Sequence, residues 1–112
     1  MAKFERSFKG DFDEFLQVLD KGILYGSVSA SYEDGSDLEA GNIRCAVRVY
    51  ERYSAIGKNR VSLNITLLGS EDNLFISAIT SGGSQAVFFK INTLGENAFL
   101  ERVKDIVEKY KG

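Results

Sequence analysis

The side chains that carry most protein catalysis are scarce in this sequence. It has no His and a single Cys, Cys45, which excludes imidazole bases, His-ordered nucleophiles and His-ligated metal sites. Cys45 alternates with Ile43 and Val47, so we expect an inert thiol in the core. The carboxylates of residues 11–14 fit helix capping, and those of residues 34–39 lack the spacing of a calcium loop. The sequence therefore favours a protein without enzymatic activity, cofactor or bound metal.

Three arginines recur at every fourth residue along the longest predicted strand. Arg44, Arg48 and Arg52 would form a stripe whose successive Cα atoms lie about 13 Å apart, with Tyr50 among them. Such a face suits weak binding of an anion or single-stranded RNA, with the tyrosine stacked on a base. Only one aromatic residue accompanies the arginines, however, and the net charge is -2. A solvated face, on which arginine stems cover neighbouring strands, is the favoured interpretation, and nucleic acid is an unfavoured partner.

The elements that would position these residues follow from hydrophobic periodicity. It predicts a strand at residues 3–8, a helix that begins at a capping box of Asp11 and Glu14 and ends at Gly22, and a strand at residues 27–32. Residues 33–41 are acidic and glycine-containing and are predicted to form a loop. Four more strands, at residues 42–54, 60–68, 74–81 and 85–92, precede a C-terminal helix with a capping box at residues 93–96.

The order β-α-β-β-β-β-β-α predicts an α+β fold. We expect a curved antiparallel sheet of five to six strands with both helices on one face. A length of 112 residues fits one domain, residues 1–112. The order of elements resembles the TATA-binding-protein-like and helix-grip folds.

The two longest strands also predict a register. Residues directly opposite each other share a face, so the two apolar sets are expected to pair, with Tyr53 opposite Val61. Glu51 then falls on the inward face near a strand end, where Arg6 is a candidate partner. The residues expected to point into the core are Ile43, Cys45, Val47, Val49, Val61, Leu63, Ile65 and Leu67.

The chain also resembles a family of short bacterial proteins of unknown function. The resemblance rests on residues 10–14 (GDFDE), 44–49 (RCAVRV), 59–64 (NRVSLN) and 78–85 (AITSGGSQ), and it continues through residues 88–96. It implies no activity, cofactor or catalytic residue.

The leading functional hypothesis is association with another protein chain, most simply as a homodimer. The last two predicted strands carry large apolar residues on both faces. The interface candidates are Phe75, Ile79 and Phe88.

Two alternatives remain open at this point. One is a carrier of a small apolar ligand, with a cavity between the sheet and the C-terminal helix. Its polar lining would come from Tyr32, Glu51, Tyr53 and Tyr110. The other is the anion or RNA face formed by Arg44, Arg48, Tyr50 and Arg52.

The sequence predicts a cytoplasmic protein that does not enter a membrane. Residues 1–10 contain no apolar signal-peptide segment. No apolar stretch approaches the roughly 20 residues needed to span a bilayer.

Overall fold

Five antiparallel strands and two helices make up the computed structural model, which describes residues 1–27, 29–54, 59–82 and 89–112. Their bounds are β1 (Ala2–Lys9), α1 (Phe12–Tyr25), β2 (Ser31–Ala40), β3 (Ile43–Ser54), β4 (Asn59–Ser70), β5 (Asn73–Gly82) and α2 (Phe89–Lys109). The strands lie in the order β1-β5-β4-β3-β2. The first strand of the chain therefore pairs with the last and forms one edge of the sheet. The predicted α+β class and antiparallel sheet are confirmed.

The predicted sixth strand at residues 85–92 is wrong. Helix α2 begins at Phe89, so the second half of that segment is helical, and the predicted capping box at residues 93–96 lies inside the helix. Residues 85–88 lie outside the described part of the chain. A short apolar run does not by itself distinguish a strand from a buried helix segment, because both are apolar on every side.

Strand β2 also differs from the prediction. It runs through the acidic residues that were expected to form a loop. Since β2 is an edge strand, its charged side chains reach solvent and discourage pairing with another chain. The register with β3 shifts between Tyr32 and Asp34, which leaves Glu33 in a bulge.

Helix α1 begins where the sequence predicts and ends later. Asp11 caps it by accepting a hydrogen bond from the Glu14 amide at 2.9 Å. The predicted end at Gly22 is wrong, because the helix continues to Tyr25. Gly22 instead marks a close approach to α2, where a Cβ atom would lie 2.6 Å from Cδ1 of Ile106.

A single core contains the buried residues of both helices and of alternate positions in the sheet. We call the sheet surface formed by these positions the inner face. The inward assignment of the apolar residues of β4 is confirmed, since all four are fully buried. The buried apolar residues are Ala46, Tyr50, Val61, Leu63, Ile65, Leu67, Leu74, Ile76 and Ala78 on the sheet, Phe12, Phe15, Leu19 and Ile23 on α1, and Phe99, Val103, Ile106 and Val107 on α2.

The two faces of β3 are opposite to those predicted. Tyr53 pairs with Arg60 and not with Val61, so even-numbered residues of β3 lie beside the buried odd-numbered residues of β4. Tyr50 is consequently buried, whereas Ile43 is 46% exposed and Cys45 is only partly buried. The prediction failed because it assumed that the odd-numbered apolar residues of β3 lie on the same face as those of β4. Several inner positions of β3 instead carry long side chains with polar ends, and those of Arg44 and Tyr50 bond to Asp13 and Asp20 of α1.

Tyr110, at the C-terminal end of α2, ties that helix to the turn between β1 and α1. Its ring makes edge contacts with Phe8 and Phe15, at centroid distances of 6.1 and 5.0 Å. Its hydroxyl donates to Oε1 of Glu14 at 2.7 Å and accepts from the Asp11 amide at 3.2 Å. The tyrosine hydroxyl therefore takes the place of the direct return bond expected in a capping box.

We expect Gly10→Ala to destabilise the protein by about 1–3 kcal/mol, because a Cβ atom there would overlap the ring of Tyr110, 2.5 Å from Cε2. Urea denaturation measures the free energy of unfolding. The control is the same substitution in a Tyr110→Ala background, where the obstacle is gone and the cost is expected to be smaller. An equal cost in both backgrounds would contradict the contact.

Candidate functional site

The arginine stripe lies on the inner face, against the flanks of the helices. The guanidinium carbon of Arg44 lies 4.3 Å from the ring centroid of Phe12, and one of its nitrogens is 2.8 Å from the Asp13 carboxylate. That ion pair holds the pKa of Asp13 below its usual value. Arg52 lies 4.7 Å from the ring centroid of Phe99. Both arginines thus join the sheet to the helices through cation–π contacts.

Arg48 and Tyr50 are also engaged within the protein. Arg48 pairs with Asp37 at 2.9 Å and donates to the Val47 carbonyl at 2.9 Å. Tyr50 is fully buried and donates its hydroxyl to Oδ1 of Asp20 at 2.7 Å. The four candidates for nucleic-acid binding share a face, but it is the inner face and not the predicted solvated one, and the ring of Tyr50 is not open to a base.

The predicted lining residues of a ligand cavity do not come together. Glu51 and Tyr53 point away from the core, and Glu51 pairs with Arg60 at 2.7 Å instead of Arg6. Tyr32 lies on the inner side of β2, and Tyr110 contacts the start of α1. The four candidates, Tyr32, Glu51, Tyr53 and Tyr110, therefore do not line one cavity.

The outer face of the sheet consists of the alternate residues that point away from the core. Five large apolar side chains on it are 39–67% exposed, namely Leu38, Ile43, Tyr53, Leu68 and Ile79. Phe75 lies on the same face and is partly buried. Two of the predicted interface residues, Phe75 and Ile79, therefore share one face. The third, Phe88, lies outside the described residues.

Strand pairing aligns the outer-face residues in rows that cross the sheet from β1 to β2. The first row consists of Ser7, Phe75, Leu68, Cys45 and Leu38. The second row consists of Lys3, Ile79, Asn64, Val49 and Asp34. The first row is mainly apolar, and the second has a basic residue at one edge and an acidic residue at the other.

Two depressions accompany these surfaces. One, of about 550 Å³, opens mainly on the outer face around Ser7, Leu68 and Phe75. The other is a groove of about 540 Å³ beside α1, on the inner side of β2 and β3. Its lining residues are Asp13, Leu16, Gln17, Asp20, Leu24, Tyr32 and Arg48. Both volumes are typical of small-ligand sites, at roughly 300–1,000 Å³.

Sequence reasoning missed this groove. The available signal was a stripe of residues on α1, at positions 13, 16, 17, 20 and 24, which recur at the spacing of one helical face. Two of them, Asp13 and Asp20, are acidic. That the stripe faces β2 and β3 follows only from tertiary packing.

The described residues contain no metal-binding cluster and no membrane-spanning helix. Within them, no three His, Cys, Asp or Glu side chains are grouped closely enough to hold an ion. Neither helix combines the length and apolar character needed to cross a bilayer.

The fold and its surfaces define an α+β protein with a buried inner sheet face and a partly exposed outer one. Residues 1–111 match the profile of a family of unknown function (DUF6054), and the chain belongs to that family. A comparison with curated proteins yields no match. The predicted membership of a family of unknown function is confirmed.

We expect the free energy of unfolding to fall as the pH rises above about 10, the usual pKa of tyrosine. Burial, and then the hydrogen bond to Asp20, raise the pKa of Tyr50 well above that value. The unfolded chain therefore loses this proton first, and the stabilisation present below pH 10 is lost at higher pH.

Tyr50→Phe is expected to lower the free energy of unfolding by about 1 kcal/mol at pH 7 and to lessen the decline above pH 10. Urea denaturation between about pH 7 and pH 11 measures both effects. Tyr25→Phe is the matched control, since Tyr25 is 84% exposed. The same decline in Tyr50→Phe as in the wild type would contradict the role of Tyr50.

Proposed function

We propose that the protein functions through self-association, as a homodimer in which two sheets pack outer face to outer face. The proposal takes both helices to lie on the inner face, as the order of elements predicts. The observation that carries it is the exposure of five large apolar side chains on the outer face. An apolar sheet face is ordinarily covered by a second layer, and a second copy of the chain would supply that layer.

The size of the outer face supports a dimer. Five strands at a spacing of about 4.8 Å give a width of about 24 Å, and ten residues at about 3.3 Å each give a length of about 33 Å. The resulting plane of about 800 Å² equals the area that each partner buries in an interface of standard size.

The charges of the outer face favour one relative orientation. A two-fold axis parallel to β4 would place every row of one sheet over the same row of its partner in reverse order. Lys3 would then lie over the partner's Asp34, and Asn64 over the partner's Asn64. The pairing is opposite in charge at both edges and self-complementary in hydrogen bonding at the centre. Sheets that pack with nearly aligned strands, at about -30°, are consistent with this axis.

The shape of the outer face supports the same arrangement. Leu38, at 67% exposure, is the most exposed of its large apolar side chains. Reversal of the first row would place the partner's Leu38 over Ser7, which lines the 550 Å³ depression. An exposed leucine would thus enter an apolar hollow of the opposite copy, the geometry typical of residues that dominate binding energy.

Sedimentation of the wild-type protein at micromolar concentration is expected to show a dimer, and Leu68→Glu is expected to show a monomer. Leu68 would lie near the two-fold axis, so the substitution would bring two carboxylates together in an apolar contact. Val18→Glu is the matched control, because Val18 is similarly exposed, at 39%, but lies on α1. A monomeric wild type would contradict the proposal, and so would a dimer that Leu68→Glu leaves unchanged.

The orientation has its own test by charge reversal. Lys3→Glu and Asp34→Lys are each expected to raise the dimer Kd about threefold to tenfold at low salt, because each would place like charges opposite each other at both edges. The combined variant restores opposite charges and is expected to recover most of the affinity. Lys21→Glu on α1 is the control. A combined variant no tighter than the weaker single variant would contradict the two-fold axis parallel to β4.

A further inference from the structure

The groove beside α1 has chemistry that self-association does not use. Its α1 residues extend from Asp13 to Leu24, which is about 16 Å along the helix axis at about 1.5 Å per residue. Tyr32 of β2 and Arg48 of β3 form the opposite wall. The groove thus has a helix on one side and the inner surface of an edge strand on the other.

The charges around the groove are compensated at every position except one. Asp13 pairs with Arg44 at 2.8 Å, and Arg48 pairs with Asp37 at 2.9 Å. In the described part of the chain Asp20 forms no ion pair, and its carboxylate accepts only the hydroxyl of Tyr50. One formal negative charge therefore remains on the groove wall.

The surroundings of Asp20 are apolar and aromatic. Leu16 and Leu24 line the groove on either side of it along α1. Tyr32 is 49% exposed, and its ring lies edge-to-face with that of Tyr50 at a centroid distance of 5.8 Å. A carboxylate next to an open tyrosine ring attracts organic cations, because the ring face and the carboxylate are both negative. The leucines offer contact to an apolar chain.

We propose that this groove binds a small organic ammonium ion. The ammonium group would donate to the Asp20 carboxylate beside the Tyr32 ring, and the apolar part of the ligand would lie along Leu16 and Leu24. The site lies on the inner side of the sheet, away from the outer face. Ligand binding and dimer formation can therefore each fail without the other.

An NMR titration of the ¹⁵N-labelled full chain tests the proposal with 2-phenylethylamine as the probe. Saturable shifts are expected for amides of α1 around Asp20 and of β2 around Tyr32. Two ligands of similar size, neutral 2-phenylethanol and anionic 3-phenylpropanoate, are expected to bind at least about tenfold more weakly, because they lack the positive charge. Absence of saturable shifts at about 10 mM amine, ten times the Kd of a weak millimolar site, would overturn the proposal.

The variant Asp20→Asn separates the charge from the structure. Its side-chain oxygen still accepts the hydroxyl of Tyr50, so the fold is expected to persist, while the Kd for the amine rises about tenfold or more. Glu101→Gln removes a carboxylate from the exposed surface of α2 and is the matched control. Equal loss of affinity in both variants would overturn the assignment to Asp20. So would equal binding of 2-phenylethylamine and 2-phenylethanol to the wild type, a result that does not depend on the folding of any variant.

Discussion

The structure depends on one constraint: within the described residues, a single core joins one face of the five-stranded sheet to buried residues of α1 and α2. The fully buried side chains of β4 and β5 alternate with residues that point outward, so the sheet is dry on one side. The inner positions of β3 include the core residues Ala46 and Tyr50, and also Arg44 and Arg52, whose guanidinium groups lie over rings of the helices. Arg44 over Phe12, Arg52 over Phe99 and Tyr50 bound to Asp20 close the boundary between the core and solvent.

The same constraint explains where glycine is required. At Gly22 the two helices approach so closely that a Cβ atom would meet Ile106, and the Gly22 carbonyl accepts a hydrogen bond from Arg102 at 3.0 Å. At Gly10 the chain turns from β1 into α1 directly beneath the ring of Tyr110. Both glycines serve contacts between distant parts of the chain, since neither has a positive φ angle. Their role is therefore steric and does not arise from a left-handed backbone.

Two surfaces remain after the core has formed, and they differ in chemistry. The outer face is broad, with apolar residues in rows and with Lys3 and Asp34 at opposite ends of one row, which suits a second flat surface of the same kind. The groove beside α1 is narrow, with one uncompensated carboxylate between leucines and a tyrosine ring, which suits a small cation. The sequence has no His, and its single Cys, Cys45, lies on the outer face between Leu38 and Leu68.

By itself the sequence determined the α+β class, the capped start of α1 and the inward residues of β4, because each of these follows from local periodicity or from a single capping interaction. It also placed Phe75 and Ile79 on one face. Only the tertiary structure decided the faces of β3, since both of its sides carry side chains with large apolar parts. The apolar stem of an arginine can cover the flank of a helix, just as a valine can fill a core. The tertiary structure likewise decided that acidic residues of β2 form a strand and that Gly22 lies within a helix. In these cases the deciding contacts join residues far apart in the chain, and local pattern carries no information about which distant element will supply them.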